Sequence, residues 1–212
     1  MESELQLLGI DIEHPSPSPS TWDGLALDCA RCLRPVSEML QERGVSGNPV
    51  LEQAHKACMA ALLTQLWRDV RVDMIEHHRL YLLGDVAAKH GLDLPLMRKA
   101  LSLDTERGGN GDLRDGSCDC ALMPTAGLLA LRKPYTATMR DLVIRTHELF
   151  QESQSPWHRL PPDINRQLHR LVLEGRATLR GIARHKYDTL TRRPSLGVFH
   201  RSLIEIRLRL SQ

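Results

Sequence analysis

Aromatic side chains are scarce in this chain: Phe, Trp and Tyr together make up 4% of its 212 residues. That scarcity argues against recognition of single-stranded nucleic acid, which stacks bases on aromatic platforms along a basic groove. Strand-like alternation of apolar and polar residues is nearly absent from Leu25 onward, which excludes a sheet-based fold. Long hydrophobic runs are missing too, since the longest, Cys120 to Leu131, is interrupted by Pro124 and Gly127 and is too short to span a bilayer. No basic n-region followed by an apolar h-region opens the sequence, so a cleaved secretory leader is not expected. Cysteine is limited to five residues, an odd number that speaks against a disulfide scaffold and for a reducing, cytoplasmic compartment.

What is present is ordinary for a globular protein: 42% hydrophobic and 25% charged residues, in a length that suits one domain with a real core. The formal net charge of +2 hides an asymmetry. Residues 159 to 212 carry 12 Arg or Lys against 4 Asp or Glu, a net of +8 that leaves −6 for the remainder. Such a basic third can meet phosphates, a lipid surface or nucleic acid, or it can be a solvated Arg-rich helix face. Arg166, Arg170, Arg176, Arg180 and Arg184 recur at helical spacing without interleaved aromatics, which favours the solvated face; no nucleic-acid partner is expected. Cys29-x-x-Cys32 and Cys118-x-Cys120 offer four thiols to a zinc ion in principle. The first pair falls inside a helical pattern and the second in a Gly-rich loop, which weighs against that site.

The apolar positions recur at three and four, so the chain reads as all-α. A Ser/Pro tract, His14 to Ser20, separates an N-terminal segment, residues 1–20, from a helical domain over 21–212. Thr21 caps a helix running through Cys29 and Leu33 to about Leu40, with Pro35 kinking it. A second helix covers roughly Val50 to Glu76, and a shorter one lies around Asp93 to Leu103. Residues 104–127, rich in Gly, Asp and Arg, read as a flexible insertion. Its Gly108-Gly109-Asn110-Gly111 does not open a helix after a strand and is no phosphate loop. Thr138 to Gln151 is amphipathic. Pro161-Pro162 opens a long helix that buries Ile164, Leu168, Leu171, Val172, Leu179 and Ile182. After Arg193-Pro194 a last helix is expected to bury Phe199, Leu203, Ile206 and Leu210.

On the second helix Asp69 and Asp73 stand four apart, on one face and about one turn from each other. Two carboxylates so placed can hold a hard divalent cation against a phosphate. Val50, Ala54, Cys58, Ala61 and Gln65 precede them near the same stripe, and these small residues leave room for a ligand or a closely packed helix. His77-His78 follows, but consecutive helical residues point about 100° apart, so both cannot join Asp73; these two read as solvated. Arg192-Arg193 likewise reads as a solvated pair at a helix boundary.

The order of these stretches resembles the squalene and phytoene synthases, which join two prenyl diphosphates head to head. The family's second Asp-rich motif is matched by Leu63-Thr64-Gln65-Leu66-Trp67-Arg68-Asp69-Val70-Arg71-Val72-Asp73, followed by Arg79-Leu80-Tyr81-Leu82. Thr21-Trp22-Asp23 through Cys29 to Pro35-Val36, Met139-Arg140 to Leu149-Phe150, and Tyr187-Asp188 with Arg192-Arg193-Pro194-Ser195-Leu196-Gly197 resemble three further family segments. Trp67 and the Arg-Arg-Pro-Ser-Leu-Gly run lean toward the bacterial hopanoid-pathway branch.

The resemblance implies an antiparallel helix bundle of the terpenoid synthase type, incomplete at its N-terminus. It also implies magnesium ions that bridge Asp-rich helices to the diphosphate of farnesyl diphosphate. By that mapping Asp69 and Asp73 are metal ligands, Arg68 a catalytic residue on the diphosphate side, and Gln65, Arg79 and Tyr81 substrate-binding or orienting residues. The departures are as specific as the matches. Residues 1–20 hold no counterpart of the first Asp-rich motif, because Asp11 and Glu13 lie two apart beside the Ser/Pro tract. Gln65 replaces the usual Asn, Leu62 the usual Gln, and one extra residue separates Asp73 from Arg79. Two functions are therefore carried forward: a prenyltransferase, and a catalytically inactive homologue acting as an interaction or assembly module. A homo-oligomer, a partner chain or peripheral membrane contact is expected to cover apolar surface left by an incomplete bundle.

Overall fold

The chain enters its first helix through Thr21, whose Oγ1 accepts a hydrogen bond from the Gly24 N–H at 3.2 Å, as its N-cap position predicts. The computed structural model describes residues 19–45, 48–106, 126–153 and 159–210. Among them are eight helices and no strand: α1 (Trp22–Cys32), α2 (Arg34–Glu42), α3 (Asn48–His77), α4 (Gly84–Lys89), α5 (Leu94–Glu106), α6 (Ala126–Glu152), α7 (Pro162–Arg184) and α8 (Val198–Leu210). The all-α expectation therefore holds. None of these helices is long and apolar enough to cross a membrane.

The expected kink at Pro35 is instead a break. Leu33 separates α1 from α2, and Pro35 sits in the first turn of the new helix, where its missing N–H would have had no partner. Gly44 closes α2 with φ of 77°; its N–H reaches Gln41 O at 2.9 Å, and Val45 N–H reaches Leu40 O at 3.0 Å. This pair of bonds satisfies the last carbonyls, and the left-handed residue it needs costs least as glycine.

Helix α3 is the axis of the molecule. Its 30 residues extend about 45 Å. From Ala60 to Trp67 every side chain is buried, so no face of this stretch meets solvent. The small residues ahead of the carboxylates serve close helix packing: α3 lies against α6 and α7, with α1, α2 and α5 around the remaining sides. Contacts along its length give the directions. Lys56 pairs with Glu152 and Trp67 with Thr146, so α6 runs antiparallel to α3. Gly175 faces Phe150 while Thr189 meets Tyr135, so α7 turns back and runs parallel to α3.

The few aromatics are spent on this core: Trp67, Tyr81, Tyr135 and Phe150 are all fully buried. Gly175 is required by one of them, because a Cβ there would overlap the Phe150 ring. Gly175→Ala should therefore lower stability by about 1–3 kcal/mol through overpacking, despite the roughly 1 kcal/mol that alanine contributes as a better helix former. Thermal unfolding of the two proteins measures the difference.

Several boundaries and one face differ from the sequence reading. Helix α5 continues through Glu106 and α6 starts at Ala126, so both ends of the 104–127 segment are helical; residues 107–125 lie outside the described ones. Helix α6 thus begins twelve residues before Thr138 and contains Pro134. On α8 the expected inward face is wrong. Ile204 and Leu208 are buried, whereas Leu203 is 49% and Ile206 53% exposed. In this rotation Glu205 pairs with Arg166 and Arg170 of α7. The side chains of Phe199 and Leu210 are not among those described. On α7 the expected buried set is all in the core.

Candidate functional site

Asp69 lies where α3 emerges from its fully buried stretch, and its carboxylate is 13% exposed. Arg68 folds back on it, donating from Nε to Oδ1 at 2.9 Å and from Nη2 to Oδ2 at 2.5 Å. A second guanidinium arrives from far along the chain, as Arg193 Nε donates to Oδ1 at 2.7 Å. Burial alone would push the Asp69 carboxyl up, but Arg68 and then Arg193 more than reverse this and hold it below the usual carboxylate range. Asp69 is therefore firmly ionised.

Asp73 follows one turn later, half-buried. Helix α3 ends four residues beyond it. His78 takes the left-handed conformation with φ of 54°, and the Arg79 N–H closes on Asp73 O at 3.1 Å. The one-residue excess before Arg79 is absorbed in this cap, since the helix stops at His77. Tyr81 is buried, and its hydroxyl makes no hydrogen bond. Burial raises its pKa; the Arg79 guanidinium, near but outside hydrogen-bonding geometry, offsets part of this, and the Asp73 charge adds to the rise. Gln65 is buried one turn before Asp69. His77 and His78 are exposed, as expected.

Arg193 belongs to a strap that leads from α7 to α8. Helix α7 ends in a complete left-handed cap: Lys186 N–H bonds Ala183 O and Tyr187 N–H bonds Ile182 O, both at 2.9 Å, with Lys186 and Tyr187 at positive φ. The next turn is tied on two sides. Arg132 Nε lies 2.7 Å from Asp188 Oδ2, and the Tyr135 and Thr189 hydroxyls are 2.6 Å apart, which fixes it to α6. Arg71, buried on α3, donates to Leu190 O at 3.0 Å. Pro194 is buried close to Gly181. The strap therefore crosses α3 at Asp69 with a fixed backbone.

The expected site residues Arg68, Asp69, Asp73, Arg79 and Tyr81 thus gather at the C-terminal end of α3. Arg193, read from the sequence as solvated, is the addition. Its signal was present in the Tyr187 to Gly197 segment, but nothing local shows which residue of α3 it meets. The other basic residues divide: Arg166 and Arg170 pair with Glu205, Arg176 donates to Phe150 O, and Arg180 and Arg184 are exposed. Cys29, Cys32 and Cys58 are buried, with burial pushing the Cys29 and Cys58 thiols up to about 12. Cys118 and Cys120, the other half of that thiol set, lie outside the described residues.

The donor set fits a magnesium ion in part. Among the described residues no cluster of three or more His, Cys, Asp or Glu side chains is arranged to hold a metal. Magnesium, however, is commonly bound by one or two carboxylates, with water and phosphate oxygens completing the octahedron. Two carboxylates one turn apart, one held ionised, meet that requirement. The N-terminal segment, where the first motif was sought, falls outside the described residues except for Pro19 and Ser20.

No family model and no curated protein matches the sequence. Among solved structures, squalene synthase HpnC from Alicyclobacillus acidocaldarius superposes with a TM-score of 0.60 at 21% identity, over 81% of this chain and 54% of that one. A dehydrosqualene synthase solved in complex with ligand gives a TM-score of 0.61 at 16% identity, over 92% and 59%. The chain has the squalene synthase fold. It spans between half and three-fifths of the length of these two synthases.

Proposed function

We propose that this chain is a prenyltransferase of the squalene and phytoene synthase kind, condensing farnesyl diphosphate head to head in squalene or hopanoid biosynthesis. One observation carries the reading. The acidic pair of α3 and a guanidinium 124 residues away in sequence converge on a scaffold whose solved likenesses are squalene and dehydrosqualene synthases. Asp69 and Asp73 would hold magnesium, which supplies charge neutralisation for a departing diphosphate. Arg68 places a further cation beside that position, and Arg79 lies at the Asp73 end. Such preset charges need no reorganisation as negative charge develops on the leaving group. The apolar side chains from Ala60 to Trp67 keep the adjoining helix interior dry.

A second reading is favoured by the pairing of Asp69 itself. Both of its oxygens are engaged by arginines, an arrangement that also suits a structural ion pair in an inactive homologue serving as an interaction module. Purified chain incubated with farnesyl diphosphate and magnesium separates the two. Release of diphosphate with formation of a 30-carbon product is expected. If no diphosphate is released at any pH while circular dichroism shows the helices intact, the second reading replaces the first. Self-association or lipid contact through the outward Leu203 and Ile206 belongs to either reading; a monodisperse monomer by light scattering that ignores lipid vesicles would remove it.

A further inference from the structure

We propose that Arg193 is an internal cation that competes with a divalent metal ion for Asp69, so that the ion enters by exchange with this guanidinium. The inference rests on the reading of Asp69 and Asp73 as a metal-binding pair. Its basis is the occupancy of the carboxylate. Asp69 Oδ1 accepts two N–H bonds, from Arg68 Nε at 2.9 Å and Arg193 Nε at 2.7 Å, while Oδ2 accepts one from Arg68 Nη2 at 2.5 Å. An sp² oxygen has two lone-pair directions, so Oδ1 is full and Oδ2, held by Arg68, keeps one; a metal ion that takes Oδ1 must displace a guanidinium. A magnesium ion requires its ligand oxygens at close range in near-octahedral geometry. It would also face two positive charges across a few ångströms.

The two arginines do not yield equally. Arg68 neighbours Asp69 on α3 and grips both oxygens, so the helix keeps it there. Arg193 reaches Asp69 through Nε, comes from the strap, and is 33% exposed. Its backbone is held on either side, by the Asp188 to Leu190 turn and by Pro194, which a Cβ on Gly181 would meet at 3.3 Å. Exchange therefore rotates the Arg193 side chain away from Asp69 while the strap remains in place. In the metal-free protein Arg193 completes the neutralisation of a poorly solvated carboxylate, and in doing so it sets the metal affinity below what the acidic pair alone would give.

The test is titration of the full chain with Mn²⁺ as a magnesium substitute, with the unbound ion followed by electron paramagnetic resonance. Arg193→Gln should bind Mn²⁺ about tenfold or more tightly than the native protein, because one of the two positive charges facing the ion is gone. Asp69→Asn should lose the binding. Arg193→Lys, which keeps the charge without the planar fork, should fall between native and Gln, and it carries the comparison if the Gln variant fails to fold. Equal or weaker binding by folded Arg193→Gln overturns the competition while leaving the metal-binding pair intact. No Mn²⁺ bound by either native or Arg193→Gln protein overturns the pair as well.

Discussion

Asp69→Asn is expected to reduce diphosphate release from farnesyl diphosphate by at least about 100-fold, the scale seen when one group stabilising a developing anion is removed. The substitution keeps the shape of the side chain and removes its charge. It leaves Arg68 and Arg193 without their shared counter-ion, which should cost about 2 kcal/mol of stability, in the range of hydrogen bonds to charged groups. The pH dependence identifies that cost. Because folding lowers the Asp69 pKa, its contribution is complete above the unfolded carboxylate value and disappears as pH falls through the folded one. The native protein should therefore lose stability in acid below about pH 4, and Asp69→Asn should lack that component. Denaturant unfolding at a series of pH values distinguishes the two proteins.

Trp67→Ala should have the largest effect on the fold, with a loss of about 3–5 kcal/mol. For a chain of this size that corresponds to a fall in Tm on the order of 10 °C. Trp67 is fully buried two residues before Asp69, and its Nε1 donates to Thr146 Oγ1 at 2.8 Å. Thr146 in turn donates to Leu142 O at 2.8 Å, so the indole joins a hydrogen-bonded chain that ties α3 to α6. Trp67→Phe retains most of the buried volume and removes one donor, and should cost about 1 kcal/mol. A Tm for Trp67→Ala close to the native value would mean that α3 does not organise the core as described.

Helix α3 was legible from sequence because its signals agree: a long apolar pattern without Pro or Gly in its interior, small residues for close packing, and carboxylates where it leaves the core. Helix α8 was not. Its sequence Leu203-Ile204-Glu205-Ile206-Arg207-Leu208 puts apolar residues on more than one side, so periodicity alone leaves the inward face open. The choice depends on contacts with α7, where Ile204 and Leu208 turn inward and Glu205 meets Arg166 and Arg170. The first half of α6 was hidden by Pro134 and by the charged Arg132-Lys133, local features of a loop that tertiary packing overrides. Leu128, Leu131 and Tyr135 are nonetheless buried there.

The site shows the same division. Residues close in sequence to Asp69 could be read from their spacing and motif, whereas Arg193 depends on a strap positioned by Arg71, Tyr135 and Pro194, each on a different stretch of chain. The resemblance to the squalene and phytoene synthases supplied the strap's motif without its contact. Long-range ion pairs leave no periodicity to read.

In the proposed function the end of α3 binds the diphosphate of a prenyl substrate through Asp69. The most direct test of that claim is the thermal stability of the native chain with magnesium and farnesyl thiodiphosphate, a substrate analogue that resists ionisation. A ligand at 100 times its Kd stabilises by about 2.7 kcal/mol, so a rise in Tm of several degrees is expected for the native chain and none for Asp69→Asn. An unchanged native Tm at saturating analogue, or an equal rise in the variant, would contradict the claim.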